Sequence, residues 1–563
     1  MKIYKKVLGI VITIVLLSTV IVGCGKDTVE TNNNNNAKSN TAEGQIKTFT
    51  AFMAVPGIEI PEDNRMMNRI AEKIGAKADV KFLTGQTAAE RIGVMIAGGE
   101  YPDFIDGSDG TPQLVDAGAL IPLEDHLDNY PNLKNFYSEE EWNRIKKEDG
   151  HIYYIPQFGN IQGKNVQIDH NDEAFWIQKR VLKWAGFPTI KTVDEYFDLI
   201  QSYLAANPTA DDGQKNIGFE SLSDDWRYFC IENPPMFLAG YPNDGAAIVD
   251  PVTLEAKVYD RIPEAKIYFE KLNDMYNKGV VDPEAFTLSY DQYMAKLSSG
   301  RVVGMVDQYW NFRDADQALK TQNLDDRTYV PLGLVLEEGT EPKYFGPPAF
   351  NTGGGLGITV SCKDVEGALK FLNDLLDPEV MTMRYWGDKD VDYFVDADGL
   401  FYRNEEQREN FRNQDFLNKN DCPYDWFPHY EGMSADGINA IKPKEQPGEF
   451  YATLRDIDRE ILDAYGYDRW TDFLPQMEEN SPWYPLWSAR NTWTADTPYG
   501  IAWKKMDDVK HEWLPKVVMA SKADFEKTWD QYMKTYESEI DYKAYEAELT
   551  AEVARRVALA KGK

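Results

Sequence analysis

The sequence predicts an α/β protein built on mostly parallel sheets, and three observations lead to that class. Between residues 46 and 105, short apolar segments alternate with helical patterns, which is typical of a parallel sheet covered by helices. The chain has 563 residues, of which 43% are hydrophobic, so it can bury more than one core. A formal net charge of -33 disfavours nucleic acid as a partner, because it repels phosphate backbones.

The first 23 residues have the pattern of a secretory signal peptide. Lys2, Lys5 and Lys6 precede an uncharged, almost wholly apolar run at residues 7–23. The run is at the lower length limit for a membrane span, so a permanent N-terminal anchor helix is the alternative.

Cys24 is a candidate lipidation site. The tetrapeptide Ile21-Val22-Gly23-Cys24 resembles a bacterial lipobox, in which the cysteine is diacylated and becomes the new N-terminus. Residues 24–45 contain an unbroken asparagine run and have no apolar periodicity, which is typical of a flexible tether. We therefore expect a protein held by lipid at the cell surface, on the outer face of the cytoplasmic membrane.

The alternation of predicted strands and helices begins after residue 45. Residues 48–55 and 78–83 predict two strands, and a third follows around Phe104. Residues 61–75 and 86–97 predict the helices between them. In parallel sheets, ligands meet the loops that leave the carboxyl ends of strands, so Asp106 and Ser108 are candidate ligand-binding residues. An ordinary polar turn is the alternative for each.

The three later cysteines predict no disulfide framework. Cys230, Cys362 and Cys422 are widely spaced, and lone buried thiols are the simpler interpretation. Neither CxxC nor HExxH occurs, and five scattered histidines give no zinc pattern.

Several motifs, taken in order, carry a family resemblance. They are IGVMIAGGEYPDFI at 92–105, LVDAGALIPLE at 114–124, GHIYYIP at 150–156, GVVDPEAF at 279–286, SGRVVGM at 299–305 and GDKDVDY at 387–393. Together they resemble extracellular solute-binding protein family 1, the sugar-binding lipoprotein component of ABC importers. The resemblance spans most of residues 46 to 400.

The resemblance implies a two-lobed, periplasmic-binding-protein-like fold of type II, in which each lobe is a mostly parallel sheet with flanking helices. We expect lobe 1 at residues 46–158 plus 330–384 and lobe 2 at residues 159–329 plus 385–563. The chain would then cross between lobes near residues 156–159, 330–333 and 384–386. Residues 404–448 are interpreted as loops or an insertion, and residues 541–559 as a closing amphipathic helix of the C-terminal extension.

The resemblance also implies the function. The chain is expected to capture a carbohydrate, an oligosaccharide above all, by lobe closure and to deliver it to ABC permease subunits as a monomer, breaking no bond. A lipid-anchored glycoside hydrolase stays open as an alternative, since aromatic platforms and carboxylate pairs suit that chemistry too. A binder of a peptide or another polar solute, or a scaffold that has lost transport, also stays open.

Candidate ligand-binding residues combine aromatic rings with polar neighbours, because sugars present apolar faces and a rim of hydroxyls. Trp310 follows the strand at residues 302–306, and in maltose-binding relatives the tryptophan at the corresponding place stacks on sugar. The other candidates are Asp307, Gln308, Tyr309, Trp226, Tyr228, Trp386, Trp483 and Trp487. For any single tryptophan, packing in the core is the alternative.

No cofactor is expected, and calcium is possible but not supported. Asp388, Asp390 and Asp392 alternate like calcium ligands, but Tyr393 stands where an EF-hand loop needs glycine. Many members of the family carry a cation-binding type of loop where this chain has residues 207–215, and here the leading acid is missing. The glycine-rich residues 353–357 lack the Lys-Ser/Thr of a P-loop.

Overall fold

The computed structural model of the chain describes residues 46–147, 149–477 and 479–561. The predicted signal peptide, Cys24 and the tether lie outside these residues. Within the described part, no helix combines the length and the apolar character that a membrane crossing requires.

The described residues form strands and helices, and the elements after residue 432 are all helices. The strands, in chain order, are β1 (Lys47–Pro56), β2 (Ala76–Leu83), β3 (Phe104–Asp106), β4 (Ile161–Gln162), β5 (Glu173–Gln178), β6 (Ile217–Glu220), β7 (Ile248–Val249), β8 (Ala256–Lys257), β9 (Val302–Gln308), β10 (Tyr329–Leu332), β11 (Leu356–Ile358), β12 (Phe394–Val395), β13 (Phe401–Tyr402) and β14 (Glu431–Gly432). The helices, in chain order, are α1 (Arg65–Ile74), α2 (Ala88–Gly98), α3 (Thr111–Asp116), α4 (Pro131–Lys134), α5 (Glu139–Ile145), α6 (Lys179–Trp184), α7 (Val193–Ala206), α8 (Phe229–Glu232), α9 (Pro234–Leu238), α10 (Pro263–Asn277), α11 (Tyr290–Ser298), α12 (Tyr309–Thr321), α13 (Val365–Leu375), α14 (Pro378–Tyr385), α15 (Glu405–Asn410), α16 (Gln414–Asn420), α17 (Pro447–Thr453), α18 (Asp456–Tyr465), α19 (Trp487–Arg490), α20 (Pro498–Met519), α21 (Phe525–Glu539) and α22 (Tyr542–Ala560). Short 3₁₀ helices occur at Ser108–Gly110, Leu127–Asn129, Asp225–Tyr228, Asp325–Arg327, Pro443–Glu445 and Trp470–Phe473.

The first sheet has the strand order β11, β3, β1, β2. β1 pairs in parallel with both β2 and β3, and β11 joins β3 antiparallel at the edge. The helix between β1 and β2 starts where the Asn64 side chain accepts from the Met67 N–H, and it ends where Gly75 adopts a left-handed φ of 77°. The predicted order of strands and helices at residues 46–105 is therefore confirmed.

The second sheet has the strand order β10, β5, β9, β6. β9 runs parallel to β6 and antiparallel to β5, with Glu173 opposite Gln308. All six residues of β5 are buried, which is typical of a strand covered on both faces. Because β6 and β9 are parallel, their carboxyl ends lie at the same edge of the sheet.

Two separate hydrophobic cores define two lobes. We use "first lobe" for residues 46–155 and 356–441, and "second lobe" for residues 173–345 and 457–561. Three segments connect them, at residues 156–172, 346–355 and 442–456. A small apolar cluster that includes Ile168, Phe450 and Leu454 lies along two of these connections.

Two of the expected crossings fall elsewhere in the structure. β10 pairs with β5, so residues 330–333 lie inside the second lobe and the chain returns to the first lobe at residues 346–355. Trp386 is 1% exposed and its indole N–H donates to the carbonyl of Ala440 at 3.0 Å, so residues 384–386 belong to the first lobe. The lobe boundaries therefore depend on pairings between segments that are distant in sequence.

Residues 404–441, which were expected to be loops or an insertion, are an integral part of the first lobe, and residues 442–448 belong to the third connecting segment. Tyr424 and Phe427 are buried in its core. The buried Arg384 guanidinium donates to the carbonyls of Tyr424 at 2.7 Å and Pro428 at 2.8 Å, which ties this stretch to α14. Irregular backbone can be buried here because the arginine satisfies its carbonyl groups.

The C-terminal extension packs on the second lobe. α22 buries Tyr545, Leu549, Val553 and Val557 in the second core, which confirms the predicted amphipathic stripe. Cys230, Cys362 and Cys422 are free thiols, each buried, in agreement with the expectation of no disulfide among them.

Candidate functional site

A cavity of about 180 Å³ lies where the carboxyl ends of β1 and β3 meet the crossing segments. Asn491, just after α19, contributes to its wall from the second lobe, so the cavity lies between the lobes. Its lining consists of Val55, Asp106, Ser108, Asp109, Pro112, Pro156, Gln157, Phe158, Asn351, Gly353, Gly354, Gly355, Trp426 and Asn491. The position agrees with the expectation that ligands meet strand ends in such sheets.

Asp106 provides the buried carboxylate of this cavity. One of its oxygens accepts from the Ser108 N–H at 2.8 Å, and the other accepts from the Gln157 side-chain amide. Asp106 is only 5% exposed, and this burial raises the pKa of its carboxyl against the lowering effect of the two donors. The carboxylate is thereby held in a fixed orientation at the end of β3.

Ser108 turns the chain into the 3₁₀ helix at the cavity wall. Its φ of 47° is in the left-handed region, which is uncommon for a residue other than glycine. Its side chain is partly exposed and lines the cavity, so Asp106 and Ser108, both predicted from the end of a strand, lie together.

The glycine run 353–355 brings the second crossing segment close to the cavity. A Cβ on Gly353 would lie 2.8 Å from the Ser488 carbonyl oxygen, and a Cβ on Gly355 would overlap the backbone of Ile155. Gly354 faces the cavity, and a Cβ there would meet only the Thr111 hydroxyl, at 3.5 Å. The run therefore permits close backbone packing; its interpretation as a flexible approach to a strand is untested.

Phe158 and Trp426 form an aromatic wall that the sequence patterns did not single out. Their rings meet edge to face, with centroids 5.1 Å apart and an interplanar angle of 86°. Phe158 is 43% exposed although it is a large hydrophobic residue. The sequence offered one indication for Phe158, because this residue lies within the predicted crossing at residues 156–159. It offered none for Trp426, because residues 404–448 are interpreted there as loops or an insertion.

Trp226 and Trp310 form a second aromatic surface, at the carboxyl edge of the second sheet. They follow β6 and β9, and their rings are stacked with centroids 5.7 Å apart and an angle of 8° between planes. They are 53% and 42% exposed. The Trp310 indole N–H donates to the Gln308 side-chain oxygen at 2.5 Å, which fixes the ring and uses the Gln308 acceptor.

Arg227 supports this tryptophan pair from one side. Its guanidinium lies 4.5 Å from the ring centre of Trp226 and 4.0 Å from that of Tyr290, both within cation–π range. It also donates to the Asn311 side-chain oxygen at 3.0 Å. We use "tryptophan platform" for Trp226, Trp310 and Arg227.

Asp307 is wrongly placed in the predicted rim of hydroxyl-binding groups. It is fully buried and accepts from the Tyr293 hydroxyl at 2.6 Å and the Gln308 N–H at 2.7 Å. Burial raises its pKa to about 6. Asp307 therefore accepts hydrogen bonds from neighbouring buried groups beneath the tryptophan platform. Tyr309 is also turned inward, and its ring centre lies 5.8 Å from that of Trp176.

Tyr228 and Trp386 are also removed from the candidates by their burial. Tyr228 is 4% exposed, and its hydroxyl donates to the Lys510 carbonyl at 3.2 Å. Trp386 packs in the first lobe against Tyr393 and Phe401. Both rings can be buried in the core because the Tyr228 hydroxyl and the Trp386 indole N–H each donate a hydrogen bond to a carbonyl there.

Trp483 and Trp487 are partly buried against the second core. In the proline-rich segment that contains them, Asn491 is the residue that reaches the cavity between the lobes. The backbone N–H groups of Leu486 and Trp487 donate to Asp244, at 2.8 and 3.2 Å, so this segment is held in place by the second lobe.

The acidic motifs considered for calcium are engaged by arginines. Arg65 donates to Asp388 at 2.9 Å and to Asp392 at 2.6 Å, and Arg327 pairs with Asp211. Among the described residues, no group of three or more His, Cys, Asp or Glu side chains is arranged to hold a metal ion.

The sequence was compared with known families and proteins. Residues 66–390, more than half of the chain, match the family model of the bacterial extracellular solute-binding proteins. One relative is the fructooligosaccharide ABC transporter substrate-binding protein FusA of Streptococcus pneumoniae serotype 4 (strain ATCC BAA-334 / TIGR4), which is 25% identical over 296 residues. That alignment covers 49% of this chain and 53% of FusA, so it spans about half the length of each.

Solved structures share the fold at lower identity. An EF-hand mutant of the S. pneumoniae FusA in complex with fructo-nystose has a TM-score of 0.63 at 18% identity, covering 91% of this chain and 100% of that chain. An extracellular solute-binding protein from Bifidobacterium longum subsp. infantis has a TM-score of 0.62 at 15% identity, covering 92% and 99%. These likenesses confirm the predicted two-lobed fold class.

Proposed function

We propose a carbohydrate-binding role in import for this chain, which belongs to the bacterial extracellular solute-binding protein family. The family consists of binders that present solutes to ABC importers, so the chain is not an enzyme and the hydrolase alternative falls away. The ligand we propose is an oligosaccharide, captured between the lobes and handed unaltered to an ABC-type permease.

The cavity beside Asp106 is the observation that carries this proposal. It combines a buried carboxylate, three side-chain amides and the edge-to-face wall of Phe158 and Trp426. Sugar hydroxyls suit carboxylate and amide partners, and sugar CH faces suit aromatic rings. The partial relatedness to a fructooligosaccharide-binding protein supports the same ligand chemistry.

Capture requires that the ligand interact with both lobes. The first lobe offers the Asp106 cavity, and the second offers Asn491 and the tryptophan platform. A ligand that contacts both lobes shifts the equilibrium toward the closed arrangement. The size of this shift equals the difference between the ligand's binding free energies for the closed and the open arrangement. A net hydrogen bond contributes about 1 kcal/mol and a stacked ring about 0.5–1.5 kcal/mol, so a handful of each reaches the roughly 8 kcal/mol of micromolar binding.

Lipid anchoring at Cys24 is part of the proposal. Its support is the signal-like segment at residues 1–23 followed by the asparagine-rich tether. An anchored globule would keep the captured sugar near the permease, whose subunits we propose dock on surface outside the cavity.

A ligand panel tests the proposed function. Neutral and acidic oligosaccharides and short peptides are screened at one concentration for a rise in Tm and a change in tryptophan fluorescence, and saccharides are then recovered by chromatography. We expect a saccharide to give the largest Tm rise, because a ligand that binds only the folded state stabilises it by mass action. Recovery of the saccharide intact is the second expected result.

Trp310→Ala tests where the saccharide binds. We expect affinity to fall about tenfold, the equivalent of 1.4 kcal/mol, because a stacking ring is lost. Trp184→Ala is the matched control, since Trp184 is similarly exposed at 47% but ends α6, outside the proposed site. Peptides as the best ligands would contradict the carbohydrate proposal, and equal affinities of both variants would remove the tryptophan platform from the site.

A further inference from the structure

We infer that the Asp106 cavity selects uncharged saccharides and rejects acidic ones, with Asp106 as the group that discriminates. This inference rests on the proposed function and narrows its ligand class. Acidic saccharides here mean sugars that carry a carboxylate, sulfate, phosphate or sialic acid.

The charge of the cavity wall is the first argument. Two carboxylates, Asp106 and Asp109, line it, and its described lining contains no lysine, arginine or histidine. An anionic ligand therefore finds no counter-ion in this wall. The chain as a whole, at a formal charge of -33, adds to the repulsion rather than offsetting it.

The hydrogen bonding of Asp106 is the second argument. Its described donors are the Ser108 N–H and the Gln157 amide, which are both neutral. Neutral donors orient the Asp106 carboxyl without placing a positive charge beside it. Each oxygen also keeps acceptor capacity, since an ionised carboxylate can accept about four hydrogen bonds.

The arginines beside the site are directed elsewhere. Arg490 precedes Asn491, but its guanidinium donates to the Gly245 carbonyl at 2.7 Å and lies 4.8 Å from the Trp503 ring centre. Arg227 is held between Trp226 and Tyr290 and donates to Asn311. Neither arginine lines the wall that surrounds Asp106.

The low exposure of Asp106 makes its charge effective. At 5% exposure, solvent screens the carboxylate poorly, so repulsion of a second anion persists at physiological salt. A hydroxyl donor instead gains a charge-assisted hydrogen bond from the same group. One residue thereby attracts neutral sugars and repels acidic ones.

Matched ligand pairs test the inference. Neutral trisaccharides of glucose, mannose or fructose are compared by calorimetry at pH 8 with counterparts in which one primary alcohol is oxidised to a carboxylate. We expect each acidic member of a pair to bind at least 100-fold more weakly than the neutral member that binds best. Binding of an acidic member within threefold of its neutral partner would overturn the inference and leave the proposed function intact.

Asp106→Asn identifies the responsible group. The amide retains the shape and one acceptor oxygen, so we expect the preference for neutral sugars to shrink to about tenfold or less. Asp116→Asn is the control: Asp116 ends α3, is exposed and does not line the cavity, so we expect the preference to stay within about twofold of wild type. An unchanged preference in Asp106→Asn would overturn the assignment to Asp106.

The remaining outcomes are also decisive. If Asp106→Asn does not fold, which its Tm shows, the wild-type ligand pairs alone decide whether acidic sugars are rejected. If no saccharide of either kind binds, the proposed function fails and this inference fails with it, a result that differs from equal binding of both kinds.

Discussion

Asp106 and Asp307 both end a buried strand at the carboxyl edge of a sheet, yet they have different surroundings. Asp106 lines the cavity between the lobes. Asp307 is enclosed by Tyr293 and Asn311, so no acceptor is left for a ligand. The position of a residue at a strand end therefore marks a candidate, and the neighbours that cover it decide whether it can bind.

Asp421 is a single residue through which the stability of the protein should depend on pH. Burial, and then the nearby Asp425, raises the pKa of its carboxyl to about 7, whereas about 3.9 is usual in an unfolded chain. A raised folded-state pKa means that this contribution to stability is present below about pH 4 and is lost as the pH rises through about 7. We therefore expect Asp421→Asn to be more stable than wild type at pH 8 and nearly equal to it at pH 4.

Chemical denaturation at the two pH values measures the effect. The expected gain at pH 8 is about 1–3 kcal/mol. Asp398→Asn is the control, because Asp398 is exposed and its substitution should change stability by less than about 0.5 kcal/mol at either pH. A loss of stability at pH 8 in Asp421→Asn would show that the carboxylate is compensated in the folded protein.

At the scale of elements, the crossing segment 346–355 joins the core of one lobe to the wall of the cavity. Its last residue, Gly355, lies against the backbone of Ile155, which bridges to Leu356 at the start of β11. The two crossing segments also approach each other directly, since a Cβ on Gly159 would lie 3.0 Å from the Ala349 carbonyl oxygen. At Gly355, contact with the backbone of Ile155 excludes a side chain.

Two alanine substitutions separate packing from ligand contact in this segment. Gly355→Ala should destabilise the protein by about 2 kcal/mol or more, because the new Cβ overlaps the backbone of Ile155. Gly354→Ala should keep the wild-type Tm, because its Cβ meets only ordinary contacts, but it should weaken saccharide binding about fivefold by narrowing the cavity.

Thermal melting and calorimetry measure these two effects. Gly98→Ala, in the last turn of α2, is a control with open space around the new Cβ. Wild-type affinity in Gly354→Ala would place the ligand away from the glycine run, and an unchanged Tm in Gly355→Ala would contradict the packing argument.

For the whole molecule, we propose that attachment to the cell depends on Cys24, which precedes the described residues. A lipid on Cys24, followed by the asparagine-rich residues 25–45, is the attachment that we propose.

Cys24→Ala tests the attachment. We expect the variant to lack the diacyl group and to keep residues 1–23, because neither diacylation nor cleavage at a lipobox can occur without the thiol. Partition into detergent and mass determination of the mature N-terminus check the result, with Cys230→Ala as the control cysteine. Wild-type protein with an uncleaved N-terminus and no lipid would favour the anchor-helix alternative.

Local patterns in the sequence were sufficient for the fold class and for part of the candidate site. Alternating strands and helices, the helix cap at Asn64 and the stripe on α22 depend on residues close together in the chain, so spacing reveals them. The ends of strands gave Asp106 and Ser108, which line the cavity, and they gave Trp310, which is exposed.

The sequence by itself determined the α/β class and candidate residues at strand ends, because periodic burial is written in neighbouring residues; the expectation of two lobes came from the family resemblance. Only the tertiary structure decided which aromatic rings are exposed and where the chain crosses between lobes. Trp386 is covered by a segment 54 residues further along the chain, and Phe158 meets Trp426 across a still longer separation. Burial of a side chain depends on such distant partners, and no local pattern specifies them.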